Sequence, residues 1–269
     1  MEISKELLEN YCPALINPTD TLFNKLAGYI DNATAALAAL AITDDLLTTT
    51  ELQNLYAETV CTRAAYEAIP SLDLVATPTG FGVVSNNNVA PASRERVDAL
   101  REQLREQNCK AYERLILALI RATDWRTSTA AATVVTSLLF LPCNLRRYGV
   151  TLDGKPIYLE EKEKMAARIA DAERQLEFLI SPELHAHLIA CQLTDPDDHT
   201  ADITIEQARL YLASILSAAH PRARTLLANR LLATVRKVGF EQYTNSSTAA
   251  AQTATPYQNE RQHPTFFFS

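Results

Sequence analysis

Apolar residues at helical spacing are the strongest constraint on this chain, because the same series occurs twice. Leu22, Leu26, Ile30, Ala33 and Leu37 recur every three or four residues, which places them on one face of a helix. The series Leu26, Ile30, Ala33, Leu37 returns as Met165, Ile169, Ala172, Leu176 at a constant offset of 139 residues. Leu55-Tyr56 returns as Leu210-Tyr211 at an offset of 155, which requires an insertion in the intervening acidic loop. Gly80-Phe81 and Gly239-Phe240 follow in places that look equivalent. A tandemly duplicated helical unit is the expected architecture. Composition agrees: 40 alanines stand against 6 glycines, and alanine is the best helix former where glycine is among the worst. The fold class expected is mainly α, a duplicated helical bundle with short β-hairpin arms and an extended C-terminal tail.

Local signals divide the chain. Thr50-x-x-Gln53 and Thr204-x-x-Gln207 read as capping boxes. The first opens a helix expected to stop near Pro70. Residues 71–91 combine β-friendly Val75, Phe81, Val83 and Val84 with turn-forming Pro78, Gly80, Gly82 and Asn86–Asn88, so a hairpin or extended arm is expected. Ser93 starts a long helix to about Arg121, charged in its first half and apolar in its second. Asp124-Trp125 breaks it, and residues 128–141 are expected to form one buried helix. A second β piece is expected near 149–158, around the tight-turn dipeptide Asp153-Gly154. Ser181-Pro182 reads as N-cap and first residue of a short helix. The last helix is expected from Arg222 to about Val238. The units are then 1–125, 126–240 and a partner-binding tail, 241–269. In that tail NSSTAAAQTAT has the composition of a tether, and the segment ends in Phe266, Phe267 and Phe268.

Charge and motifs narrow the function. Net charge is −7, against a free-standing non-specific DNA binder. Cys12, Cys61, Cys109, Cys143 and Cys191 form no CxxC pair, so reduced, mostly buried thiols are expected and a zinc site is not. The most apolar stretch, about 12 residues, is too short for a membrane span, which needs about 20. No GxSxG, P-loop or HExxH occurs, and Gly80-Phe81-Gly82 is half a dinucleotide fingerprint, better read as turn chemistry. No cofactor, metal or catalytic residue is expected. Arg222, Arg224, Arg230, Arg236 and Lys237 lie close together with no acid between them, beyond the acidic stretch 195–206. Such a pairing of basic and acidic faces suits contacts between identical subunits; the basic face equally suits nucleic acid or an acidic partner, and an ordinary solvated helix face reads the same way.

TPTGFGVVSNNNVAPASRERVDALREQLREQ, the following Asp124-Trp125, Tyr158-Leu159 and ERQLEFLISPELHAHLI together resemble an uncharacterised family of virion structural proteins in tailed phages and prophages of gut bacteria. The resemblance covers about residues 15–240; the charged first half of the long helix and the triple phenylalanine depart from it. It implies a head–tail connector, an adaptor or neck protein forming a homo-oligomeric ring that docks on the portal or neck neighbours, with DNA only as passing cargo and no membrane contact. Assembly in the host cytoplasm and residence in the virion follow. Gly80, Phe81, Gly82 and Val83 would clasp a neighbour. Arg222, Arg224, Arg230, Tyr257, Phe266, Phe267 and Phe268 would complete the partner-binding set. A phage assembly chaperone or another tail or neck ring protein is the alternative, and an enzyme with a dispersed site is disfavoured.

Overall fold

The computed structural model describes residues 1–13, 21–72, 75–77, 80–82, 93–194 and 197–253. It is mainly α-helical. Helices α1 (Lys5–Tyr11), α2 (Thr21–Ala38), α3 (Thr50–Leu72) and α4 (Arg94–Ala122) make the first unit, with α3 packed against the other three. Leu26, Ile30, Ala33 and Leu37 of α2 are buried there, as the spacing requires. Thr49 rather than Thr50 caps α3: its Oγ1 accepts from Leu52 N–H at 3.2 Å. Gln53 turns its amide to the Leu47 carbonyl at 3.1 Å, so the N-cap is displaced by one residue and Leu52 takes the place the box needs for Gln53. Pro70 sits inside the last turn of α3, which continues to Leu72.

Beyond α3 the backbone of β1 (Val75–Thr77) runs antiparallel to β2 (Gly80–Gly82), with Ala76 opposite Phe81. Of the arm expected over 71–91 the structure describes this three-pair ladder, and Val83 with the rest of 83–92 lies outside the described residues. After α4, Thr123 is extended and Asp124–Thr127 form one 3₁₀ turn. That turn drops Trp125 into the first core at 2 % exposure, where its Nε1–H donates to the Leu40 carbonyl at 2.8 Å.

The single helix expected over 128–141 is not there. Helix α5 covers only Thr129–Val134 and α6 starts at Pro142, running to Arg147. The β-branched run Thr133-Val134-Val135-Thr136 is stiff at χ1 and disfavours helix. Ser137 then turns the chain by accepting Leu139 N–H at 2.8 Å. The change of core falls here: Val135, Phe140 and Leu141 pack in the first, Leu138 and Leu139 in the second. Asp153 and Gly154 both have positive φ, 52° and 75°, the backbone of a two-residue turn. The β piece expected at 149–158 reduces to one bridge, Leu152 to Lys155.

Helices α7 (Leu159–Lys164), α8 (Ala166–Ile180), α9 (Pro182–Cys191), α10 (Asp202–Leu216) and α11 (Pro221–Val238) build the second unit, with α8, α10 and α11 in mutual contact. Met165, Ile169, Ala172 and Leu176 are buried in it, in the role α2 plays in the first unit. Ser181 caps α9 through Leu184 N–H at 3.2 Å, as its position before Pro182 requires. Thr204 caps nothing: α10 starts at Asp202, and Thr204 is wholly buried inside it. Gly239 ends α11 at φ 77°, the left-handed conformation glycine adopts without strain. Gly239 follows α11, the last of the packed trio α8, α10 and α11, whereas Gly80 lies between α3 and α4, inside the trio α2, α3 and α4. Those two Gly-Phe pairs are therefore not equivalent.

The tail does not begin at 241. Helices α12 (Glu241–Thr244) and α13 (Ser247–Thr253) fold back on the second unit. Tyr243 and Ala249 are buried, Ser246 caps α13 through Ala249 N–H at 3.1 Å, and Gln252 holds the Leu179 carbonyl at 3.0 Å. Alanine-rich sequence after a serine cap is good helix, and one buried tyrosine anchors it. Residues 254–269, with Tyr257 and Phe266–Phe268, lie outside the described residues.

Candidate interaction surfaces

Helix α11 shows how far the basic cluster forms a surface. Leu231 and Val235 are buried, and Leu227, Ala228 and Leu232 are partly so. The opposite face exposes Arg222, Leu226 and Arg230, spaced four apart and therefore in line. Leu226 is 69 % exposed, unusual for a leucine flanked by two arginines. Neither arginine has an ion-pair partner among the described residues. Arg224 departs from this line. It is half-buried, and its Nη2 reaches the carbonyl of Ala219, just before α11, at 3.5 Å. Arg236 is tied to Gln252 at 3.3 Å. The acidic stretch does not oppose this face: Asp198 and Asp202 share a cavity wall with Val238 and Gly239, at the C-terminal end of α11. Asp198 is held below the usual carboxylate range, first by the Thr200 side chain and then by its backbone N–H.

The charged groups inside the molecule have a different task. The non-helical stretch 137–139 is buried, so its backbone groups need partners. Glu173 of α8 accepts Leu138 N–H at 2.9 Å, and Arg209 of α10 donates to the Leu138 carbonyl at 2.9 Å. Gln192 donates to the Ser137 carbonyl at 3.1 Å and accepts from Arg209 Nη2 at 2.7 Å. On the other side, Glu113 of α4 accepts Cys143 N–H at 2.6 Å and Arg146 Nη2 at 2.6 Å. Arg146 also donates to the Ile157 carbonyl at 2.7 Å. Burial alone would lower the Arg146 pKa; the Glu113 carboxylate outweighs it and holds the pKa above its ordinary value. Burial pushes the neighbouring Cys109 thiol up to about 12 and Cys143 to about 11, with Glu113 adding to both. These thiols are therefore poor nucleophiles at neutral pH. Together these groups fasten the two units through the segment between them.

Sequence reasoning missed this network, although a signal existed. Glu173 lies on the apolar stripe of Ile169, Ala172 and Leu176, where a solvated carboxylate would not be placed. His185 is a similar case. It is 7 % exposed, with Nδ1 3.0 Å from Glu177 Oε1 and Nε2 3.7 Å from Glu173 Oε1. The cluster bridges α8 and α9, with His185 and Glu173 buried and Glu177 partly exposed at its edge. Among the described residues no group of three or more His, Cys, Asp or Glu is placed to hold a metal ion, and no helix is long and apolar enough to cross a membrane.

The fold and surfaces therefore define a two-unit helical protein, internally cross-braced, with an unpaired basic line on one helix. Residues 7–134, essentially the first unit, match the model of a family described as a family of unknown function (DUF6712). No curated protein and no solved structure matches the chain.

Proposed function

We propose that this protein is a structural component of a tailed-phage virion, a connector or adaptor subunit that assembles into a ring between portal and neck. The sequence resemblance supplies the phage setting. The observation that carries the assembly reading is the line Arg222–Leu226–Arg230. It is apolar at its centre and basic at its flanks, and its charges have no described partner within the chain. Such a surface suits an acidic neighbour, where complementary charge sets register and partner choice. The chain's own net charge of −7 supplies acidic surface for a second copy to present. A surface that joins one patch to a different patch repeats head to tail and closes into a ring when the rotation allows. DNA remains passing cargo in this reading.

Sedimentation velocity on the full chain tests it. The wild type is expected to form one discrete closed oligomer. Reversing both charges, Arg222→Glu with Arg230→Glu, should raise the dissociation constant by about a hundredfold, since like charges across an interface cost several kcal/mol. Thermal unfolding of the subunit should be unchanged, because both side chains are exposed. A wild type that stays monomeric at all concentrations would refute the ring, and an oligomer indifferent to the reversal would refute this face.

A further inference from the structure

Among the described residues four large apolar side chains are exposed: Phe178, Ile203, Leu226 and Val238. Three of them fall in two patches of opposite charge. Leu226 sits between Arg222 and Arg230 on the outer line of α11. Val238 belongs to the other patch, where it lines a cavity of about 360 Å³ at the C-terminal ends of α9 and α11 and the start of α10. Ile203 follows directly on Asp202, a residue of the same lining. That lining carries Asp198, Asp202 and Glu241 and no lysine or arginine. Four other cavities each place an arginine beside their carboxylates. One of the four shares Asp198 and Asp202 and contains Arg121 and Arg209, but neither arginine makes an ion pair with them. The Asp202 side chain is 61 % exposed, and its Oδ2 lies 2.8 Å from His199 Nδ1. Asp198 accepts from Thr200 through Oδ1. The Glu241 carboxylate has no partner among the described residues. His187, the one imidazole in the lining, is taken up by Cys191 Sγ at 3.5 Å and by the edge-on Phe240 ring. The patch is acidic with apolar sides, the inverse of the basic line.

We infer that this acidic patch receives the Arg222–Leu226–Arg230 line of a neighbouring copy of the chain. The inference rests on the ring reading above and names the surface that completes it. The two patches cannot meet within one chain, because α11 carries part of each. Val238 lies about 18 Å along α11 from Leu226 and about 120° around it. One partner cannot cover both sides of the helix at once, so a copy that offers both patches engages two neighbours. That is the head-to-tail arrangement from which a ring closes. In the contact, Arg222 and Arg230 face the carboxylates of Asp198, Asp202 and Glu241, and Leu226 covers Ile203 and Val238. Pairing takes these apolar side chains out of water. The opposite charges decide which patch meets which, since a basic line against a second basic line is repelled.

Charge exchange on the full chain tests this, read by sedimentation velocity. Reversing the acidic side, Asp202→Arg with Glu241→Arg, should weaken association about a hundredfold, as the Arg222/Arg230 reversal does. Each reversed chain then carries two patches of like sign and should stay monomeric. Mixed in equal amounts, the two should associate into oligomers of alternating chains, because every contact again joins opposite charges. A chain with all four substitutions should associate as well. Thermal unfolding shows whether the acid-side variant folds. Ile203→Ser, at a side chain 67 % exposed, gives a second route and should weaken association about tenfold. An acid-side reversal that folds and assembles like the wild type would overturn the inference and leave the ring standing on another acceptor. So would reversed chains that are folded yet stay monomeric both in the mixture and when the four substitutions are combined. A wild type that never associates removes the ring reading itself, and this inference with it.

Discussion

Arg146→Ala is expected to lower the unfolding free energy by about 3–5 kcal/mol, the cost of leaving a buried charge uncompensated. Glu113 is only 4 % exposed, and among the described residues Arg146 is the cation paired with it. Removing the guanidinium also strips the Ile157 carbonyl of its donor. The loss should fall at the junction, because Glu113 belongs to the first unit and holds Cys143 N–H in the connecting segment. Chemical denaturation of the variant should therefore show two transitions where the wild type shows one. A companion variant separates charge from packing. Glu113→Gln with Arg146→Met removes both charges, keeps the volume, and should recover most of the loss, since paired charges replaced by apolar groups are often neutral in effect. If Arg146→Ala unfolds in one transition at the wild-type denaturant concentration, the network does not fasten the units.

Trp125→Ala should cost about 3–5 kcal/mol, the range for emptying a large aromatic site in a core. The indole is 2 % exposed, and its N–H satisfies the carbonyl that ends the turn after α2. Both the cavity and the orphaned Leu40 carbonyl contribute. Trp125→Phe keeps most of the ring and loses the hydrogen bond, so a cost nearer 1–2 kcal/mol is expected. Urea unfolding of the pair reads both figures. Equal losses for the two variants would mean the hydrogen bond carries the effect and the packing does not.

The parts of the fold legible in the sequence are those set by neighbours close along the chain. The stripes on α2 and α8, the Asp153-Gly154 turn and the Ser181 cap each depend on a few consecutive residues, and each is found where the spacing places it. The failures have a common cause. Residues 128–141 read as helix because they are apolar, yet their β-branched run breaks α5. The buried backbone that results is made tolerable only by Glu173, Arg209 and Gln192, which lie far along the chain. The helices over 241–253 were hidden because alanine and serine suit a tether as well as a helix; the contact of Tyr243 with the second unit decides between them. The candidate surface was half legible. A run of basic residues is visible in sequence, but only helical phase shows that Arg222 and Arg230 share an exposed line while Arg224 turns to Ala219.

Peptide mass spectrometry of purified particles, from cells carrying this gene on an induced prophage, tests the central proposal most directly. A connector subunit should be present at a fixed low copy number per particle, in constant ratio to the portal protein through successive density gradients. An assembly chaperone would be abundant in the lysate and absent from the particles, and that result would contradict the account.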